Sequence, residues 1–179
     1  MVWSGDFKSA MKAYEKGHYT YAVKELKLLA KTGHSMAQHF LGEMFYKGKG
    51  VNQDYKSAVK WYTLSAEQGN EISQYNLGIM YSFGLGVVPD YLEALKWYTL
   101  SSEQGYALAQ YNLGRLYYLG NGVKEDLVYA HMWFDLATLN GFEEAAQLRK
   151  LLAEQMTDSQ IKDTLKMTKK CIKKQYKGC

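Results

Sequence analysis

The sequence predicts an all-α protein, a right-handed α-solenoid built from 36-residue helix–loop–helix repeats. Three observations predict this fold class. Trp61, Trp97 and Trp133 recur at a constant step of 36 residues. Pairs of glycines recur at the same step, and apolar residues between them follow helical spacing. Self-similarity with a period of about 20–50 residues is typical of stacked repeat architectures.

Seven further columns of identical residues share the 36-residue step. They are Leu41, Leu77 and Leu113; Gly42, Gly78 and Gly114; Gly48, Gly84 and Gly120; Gly50, Gly86 and Gly122; Val51, Val87 and Val123; Ala58, Ala94 and Ala130; and Gly69, Gly105 and Gly141. No insertion interrupts the step, so we expect three structural units of equal length.

The first half of each unit is predicted to be a helix. In the middle unit Leu77, Met80 and Tyr81 fall at i, i+3 and i+4, which is one face of an α-helix. Gly78 has no Cβ, so a neighbouring helix can approach closely there. The loop residues Gly84 and Gly86 interrupt the helical pattern.

The second half of each unit is predicted to be another helix. Asp90 is a suitable N-cap, since its carboxylate can accept hydrogen bonds from the free N–H groups of the first turn. Asp54 and Asp126 hold the same place in the other units. We expect Ala94 to lie where two helices cross and Trp97 to fill the space between units.

The units together predict a single solenoid domain over residues 1–179. A degenerate N-terminal unit covers 5–36, three full repeats cover 37–72, 73–108 and 109–144, and capping helices cover 145–179. Tyr19 and Ala22 fit the 36-residue step, but the first unit lacks the glycine loop. Thr157 and Gln160 form a capping-box pattern for a last helix over 158–174.

The repeated pattern A-x-x-x-L-G-x-x-Y-x-x-G-x-G-V-x-x-D-Y-x-x-A-x-x-W-Y-x-x-x-x-E-Q-G resembles the Sel-one-like repeat (SLR) of bacterial proteins, a longer relative of the tetratricopeptide repeat. Residues 73–105 match it almost fully and 37–69 match well. Residues 109–141 match with Leu127 in place of the tyrosine and Phe134 as the second aromatic residue. The resemblance implies a non-catalytic protein–protein interaction scaffold.

The resemblance also implies that the first helices of the units line a concave groove. Positions that repeat answer to packing, whereas positions that vary between units are candidates for recognition. The predicted groove is aromatic with interleaved charges and amides, which suits a peptide or protein segment. Its residues are His39, Glu43, Tyr46, Tyr75, Asn76, Ile79, Phe83, Tyr111, Asn112, Arg115 and Tyr118. By a looser register the first unit adds Phe7, Met11 and Tyr14.

Two other functions remain open. Tyrosine-rich concave surfaces also stack on sugars, so a cell-wall glycan-binding protein is one alternative. Some cysteine-rich relatives of the resembled family are associated with β-lactam binding or hydrolysis, so a β-lactam-binding hydrolase is the second. This chain lacks the cysteine pair in each repeat that those relatives carry.

No residue pattern predicts catalysis, a metal site or a cofactor. The four histidines, His18, His34, His39 and His131, show no ligand spacing with one another or with cysteine. The G-x-G loops lack the G-K-[ST] that follows a phosphate-binding loop. We therefore expect neither enzymatic activity nor a bound metal.

The two cysteines, Cys171 and Cys179, stand in the last segment of the chain. Gly178 allows the backbone to turn, so a disulfide between them is feasible. The ending C-x-x-x-x-Y-K-G-C also resembles the tail of exported bacterial Sel-one-like proteins. Both observations favour a periplasmic or secreted protein whose export signal lies outside this sequence. Two free thiols in a cytoplasmic protein are the alternative.

Lysines dominate residues 162–177. The segment suggests an anionic partner, or else a solvated cap near a helix C-terminus, where cations are favoured. The formal net charge of the chain is only +4, and no base-reading motif accompanies the lysines. No apolar run approaches the roughly 18 residues of a membrane span. We expect a monomer that binds a protein or peptide and neither binds nucleic acid nor spans a membrane.

Overall fold

A computed structural model describes residues 6–179, which form ten α-helices and contain no strand. Gly5, the first residue of the predicted N-terminal unit, lies outside the described residues. The helices are α1 (Phe7–Glu15), α2 (Tyr19–Lys31), α3 (Ser35–Lys47), α4 (Tyr55–Ala66), α5 (Glu71–Phe83), α6 (Tyr91–Ser102), α7 (Ala107–Leu119), α8 (Leu127–Leu139), α9 (Ala145–Ala153) and α10 (Asp158–Lys173). The chain divides into two compact units, the first ending at Pro89 and the second beginning at Asp90.

The first unit contains α1 to α5, and each helix packs against the next. Small and aliphatic side chains from α1, α2 and α3 form its main core cluster. Ala10, Ala22, Leu26, Leu41 and Met44 are fully buried there. The degenerate N-terminal segment is therefore a helix pair that shares its core with the first full repeat.

The second unit contains α6 to α10. Helix α7 packs against α6 and α8, while both α9 and α10 pack against α8. Because α8 has neighbours on several sides, residues 130–137 are all buried. Within residues 6–179, no helix is both long and apolar enough to cross a membrane.

The predicted helix ends are confirmed. Asp54, Asp90 and Asp126 are the N-caps of α4, α6 and α8. In each case a carboxylate oxygen accepts hydrogen bonds from two backbone N–H groups of the first turn. These bonds satisfy donors that a helix start leaves free. The first glycines of the loops adopt the left-handed conformation that ends α3, α5 and α7.

The second glycine of each loop has a separate steric role. A Cβ on Gly122 would lie 2.5 Å from the carbonyl oxygen of Tyr91, the first residue of α6. Gly86 has the same relation to Tyr55 at the start of α4. Each loop thus lies against the start of the second helix of the preceding repeat. The second glycine of the G-x-G sequence is needed because no Cβ fits at this contact.

At Gly42 and Gly114, the glycines that directly follow the repeated leucine, the structure shows the predicted close helix crossing. A Cβ on Gly114 would lie 2.8 Å from two ring atoms of Phe134 and 3.2 Å from the carbonyl oxygen of Ala130. In the first unit, a Cβ on Gly42 would lie 2.8 Å from the ring of Tyr62. Phe134 is only 1% exposed, so its ring has little room to move.

We therefore expect Gly114→Ala to destabilise the protein by about 1–2 kcal/mol in urea unfolding, because overpacking outweighs the gain in helix propensity. Phe134→Leu removes the ring that the new methyl group would meet. The double variant Gly114→Ala/Phe134→Leu should accordingly be more stable than the sum of the two single changes predicts. Strict additivity would show that the ring does not limit the approach of the helices.

A buried column of glutamines was not predicted, although its 36-residue step is visible in the sequence. Each side-chain amide donates a hydrogen bond to a carbonyl near the C-terminus of the preceding second helix. The distances are 3.0 Å from Gln38 to Ala30, 3.1 Å from Gln74 to Ala66 and 3.2 Å from Gln110 to Ser102. Since helix ends leave carbonyls without partners, the column joins consecutive repeats through their helix ends.

The helix-pair pattern changes after the third repeat. Ala145 of α9 is buried, as the 36-residue step from Ala109 requires. However, Arg149 and Lys150 stand where the step would place Leu and Gly. A second helix cannot cross closely over those side chains, so α10 packs on α8 instead. Arg149 donates a hydrogen bond to Asp135 of α8 at 2.6 Å.

The C-terminal tail is tied back onto the second unit. The predicted bond between Cys171 and Cys179 is present, with Cα atoms 5.4 Å apart. Tyr176 donates a hydrogen bond from its hydroxyl to Asn140 Oδ1 at 3.0 Å, and the Gly178 N–H donates to the Glu103 carboxylate at 2.7 Å. The capping box that begins α10 is also confirmed.

Candidate functional site

The predicted groove residues of the first unit lie on α3 and α5, and four of them meet at one cavity. Its volume is about 220 Å³. Polar and aromatic side chains line it together. They are His39, Glu43, Tyr46, Lys47, Tyr62, Ile72 and Asn76.

His39 is largely a packing residue that borders this cavity. It is 5% exposed, and its Nδ1 lies 2.9 Å from the Ser73 hydroxyl oxygen. Its ring packs beside those of Phe40 and Tyr62, at 5.2 and 5.8 Å between centroids. Burial lowers the pKa of His39, so the neutral imidazole predominates at neutral pH. The ring therefore presents an uncharged edge to the cavity.

Glu43 is the charged centre of the cavity wall. It forms an ion pair with Lys47 and accepts a hydrogen bond from the Tyr14 hydroxyl at 3.1 Å. Lys49 donates to the same Tyr14 oxygen at 3.2 Å. Burial alone would raise the pKa of Glu43, but the bonds from Lys47 and Tyr14 outweigh it and lower the pKa. The carboxylate is thus ionised and held in place from two sides.

The remaining predicted residues of this unit differ in exposure. Tyr46 packs beside Tyr55 at 5.4 Å between ring centroids. Tyr75 and Ile79 are half-buried on α5. Phe83, at the last turn of α5, is 67% exposed and offers a large apolar ring to solvent.

In the second unit the predicted residues lie on α7. Tyr111 packs between Phe134 and Phe142, at 5.7 and 4.9 Å between ring centroids, and so contributes to the core. Arg115 is exposed, with its guanidinium 5.9 Å from the Tyr111 ring centre, a cation–π arrangement. Asn112, which follows Tyr111 in the sequence, is half-buried.

Tyr118 borders a second cavity of about 240 Å³. Apart from Tyr118 its walls come from α8, α9 and the residues after α9. They are Phe134, Leu148, Leu151, Leu152, Glu154 and Gln155. This cavity opens where the helix-pair pattern changes, and its walls are mainly apolar.

Of the looser first-unit set, Phe7 stacks on His34 at 4.7 Å between ring centroids, whereas Tyr14 reaches the Glu43 network. Two cavity residues, Ile72 and Tyr62, were missed by the sequence reasoning. Lys47 lies on α3 with the predicted groove residues and stands four residues after Glu43, a spacing that itself indicates a helical ion pair. Tyr62 belongs to a repeated packing column of second helices, so no sequence signal separates it from the core.

Within residues 6–179, no three His, Cys, Asp or Glu side chains are close enough together to hold a metal ion. His131 is buried and, among the described atoms, its Nδ1 has no hydrogen-bond partner. Burial lowers the pKa of His131. It lies on α8 and borders neither of the two cavities described above.

Comparison with known proteins identifies the repeat. The family model of the Sel1 repeat matches residues 35–70, 72–106 and 107–142. A solved Sel1 repeat protein from Oxalobacter formigenes is 30% identical, with a TM-score of 0.80 over 84% of this chain. The protective antigen c5321 of uropathogenic Escherichia coli, which displays an SLR fold, is 25% identical, with a TM-score of 0.59 over 96%. The chain spans 62% and 47% of those two structures. No curated protein sequence matches significantly.

Proposed function

The chain belongs to the Sel1 repeat family, and from this premise we propose that it binds a peptide or protein segment on the exposed faces of α3, α5 and α7, the first helices of its repeats. The predicted α-solenoid fold class is confirmed by the solved relatives. Proteins of this family are generally interaction scaffolds and generally non-catalytic. The use of the groove residues for binding, and a peptide or protein segment as the ligand, are what we propose for this chain.

The observation that carries the proposal is the cavity at α3 and α5. It combines aromatic walls with directional polar groups, the combination that recognition pockets use. Asn76 supplies an amide, which can both donate to and accept from a peptide group of an extended segment. Asn112 repeats this position in the second unit. Because the Glu43 network already holds its side chains in place, little conformational entropy is lost on binding.

Arg115 is the matching candidate in the second unit. It is exposed and, within the described part of the chain, forms no ion pair. The Tyr111 ring beneath it is held by the core, which restrains the guanidinium. A guanidinium in this setting can pair with a partner's carboxylate.

The test begins with selection of extended peptides from a random display library on the intact protein. Asn76→Ala should weaken peptides that bind the first unit by about 1–2 kcal/mol, and Arg115→Ala should do the same for peptides that bind the second unit, as interface residues near a hot spot do. Stability should change by less than about 0.5 kcal/mol in thermal melts, because neither side chain belongs to the core. Lys56→Ala, on the exposed face of α4, is the matched control.

Retention of full affinity by both variants would contradict the groove proposal. Purified peptidoglycan fragments form the second arm of the experiment. If those fragments bind and the selected peptides do not, the surface recognises glycans and the peptide proposal is wrong.

We also infer a periplasmic or secreted location. The Cys171–Cys179 bond supports it, since disulfides persist in oxidising compartments. Mass spectrometry of protein from its native source, without reductant, should detect one intramolecular disulfide. Two freely alkylated thiols would remove this argument.

A further inference from the structure

The outward face of α10 carries a line of lysines. Lys162, Lys166, Lys169 and Lys173 follow each other at i, i+4, i+7 and i+11, and all are exposed. We call these four residues the lysine stripe. At about 1.5 Å rise per residue the stripe is roughly 16 Å long. It runs opposite the face that packs inward, where Thr164, Thr168 and Cys171 are buried.

Three of the four stripe lysines have no ion-pair partner within residues 6–179. The fourth, Lys166, pairs with Asp163 at 3.3 Å. Like charges four residues apart destabilise a helix. The helix dipole offsets this only in the last turn, so it accounts for Lys173 but not for Lys162 or Lys166. Folding alone does not explain the stripe.

Two aliphatic side chains flank the stripe along one edge. Leu165 is 49% exposed and Ile172 is 44% exposed. Helical spacing places both on the same side of the lysines. The surface therefore offers positive charge and apolar groups side by side, on a helix that is held to α8 and closed by the disulfide at its end.

We propose that this face of α10 docks on a membrane surface rich in anionic phospholipids. Lysine ammonium groups are attracted to phosphate headgroups, and the adjoining aliphatic side chains can enter the boundary between headgroups and acyl chains. Because α10 is folded onto the second unit, the lysines are arranged before contact. The binding is peripheral, since the apolar face of α10 is already used in packing.

Four observations favour lipid over nucleic acid. Helix α10 contains no arginine and no aromatic residue to stack on bases. Tyr176, which follows α10, is engaged with Asn140. The exposed Leu165 and Ile172 side chains form no favourable interaction with a phosphate backbone. The disulfide favours a compartment outside the cytosol, where nucleic acid is scarce.

The experiment uses the full oxidised chain and sedimentation with two kinds of vesicle. One kind contains roughly one-third phosphatidylglycerol in phosphatidylcholine, and the other contains phosphatidylcholine alone. Wild type should bind only the anionic vesicles and should lose binding at high salt, where the charges are screened. Replacement of the four stripe lysines by Gln should weaken binding at least about 100-fold, on the basis of about fivefold per lysine.

The matched control replaces four exposed lysines elsewhere, Lys12, Lys24, Lys31 and Lys56, by Gln. Both variants lose four charges from a net charge of +4, so only position distinguishes them. The control should keep binding within about threefold, and replacement of the stripe by Arg should preserve it. Thermal melts confirm folding, and the Gln variant of the stripe should melt no lower than wild type.

A third variant, Leu165→Ser/Ile172→Ser, separates lipid from other polyanions. It should weaken vesicle binding about tenfold and leave binding of a single-stranded oligonucleotide unchanged. The proposal fails if the wild-type protein does not bind anionic vesicles at low salt. It also fails if the stripe and control variants bind these vesicles with equal affinity. It also fails if the oligonucleotide competes fully with the vesicles while the Leu165/Ile172 variant binds them like wild type. That result would identify a nucleic-acid surface.

Discussion

Trp97→Ala is expected to lower the free energy of unfolding by about 3–5 kcal/mol, the largest effect of any single change considered. The Trp97 side chain is 7% exposed in α6, next to Tyr98, which is 2% exposed. Removal of so large a buried ring loses its transfer free energy and leaves a cavity that a packed repeat cannot close fully. Urea unfolding followed by circular dichroism measures the change. The transition should also broaden, because repeat stability is a sum of neighbouring interfaces.

Trp61→Ala provides the matched comparison. Trp61 occupies the same repeat position but is only half-buried at the edge of the first core cluster. Its loss should therefore cost less than that of Trp97. Trp97→Phe should cost less too, because Trp97 Nε1 is buried and, among the described atoms, has no hydrogen-bond partner. A change below about 1 kcal/mol for Trp97→Ala would mean that this ring is available to a ligand.

Removal of the Cys171–Cys179 bond is expected to cost about 2–3 kcal/mol, the second largest effect on stability. The bond closes a short loop in which Gln175 and Tyr176 adopt left-handed backbone conformations, with φ of 52° and 66°. Such conformations are unfavourable for residues other than glycine, so they persist only while the loop is constrained. Cys171→Ala/Cys179→Ala, compared with wild type in urea without reductant, measures the effect.

The same variant should release the tail. Trypsin should cut after Lys174 and Lys177 much faster in the double alanine variant than in the oxidised wild type, since the backbone there is no longer held. Tyr176→Ala with the disulfide intact is the control, because it removes the hydrogen bond to Asn140 without opening the disulfide. Equal cleavage of wild type and the double alanine variant would show that the disulfide does not hold the tail.

Most of the repeat fold could be predicted because the same residues meet the same requirement three times. Asp54, Asp90 and Asp126 each cap a helix, and Gly42 and Gly114 each admit an aromatic ring. These requirements are local or lie one repeat apart. The glutamine column satisfies the same criterion and could have been found from its spacing.

The candidate site was predicted only in outline. His39 and Tyr111 fall on the expected helices, yet both serve packing. The His39 ring forms a hydrogen bond with the Ser73 hydroxyl group, and the Tyr111 ring lies between two phenylalanine rings. Helical periodicity assigns a side chain to a face of its own helix. It does not report which neighbour covers that face.

Sequence periodicity alone was sufficient for the number of repeats, the helix caps and the glycine loops. The pairing of the two cysteines was favoured by Gly178 and by the resembled tail, and the structure decided it against two free thiols. Tertiary structure was needed for the diversion of α10 onto α8, the Tyr14–Glu43–Lys47 network and the placement of the lysine stripe opposite the packed face. The physical reason is the range of the interactions. Repeated features follow from contacts that recur at one step along the chain, whereas residues 145–179 depart from that step, so periodicity does not define their neighbours. Their packing depends on which surface α10 can cover once Arg149 and Lys150 replace the leucine and glycine of the repeat.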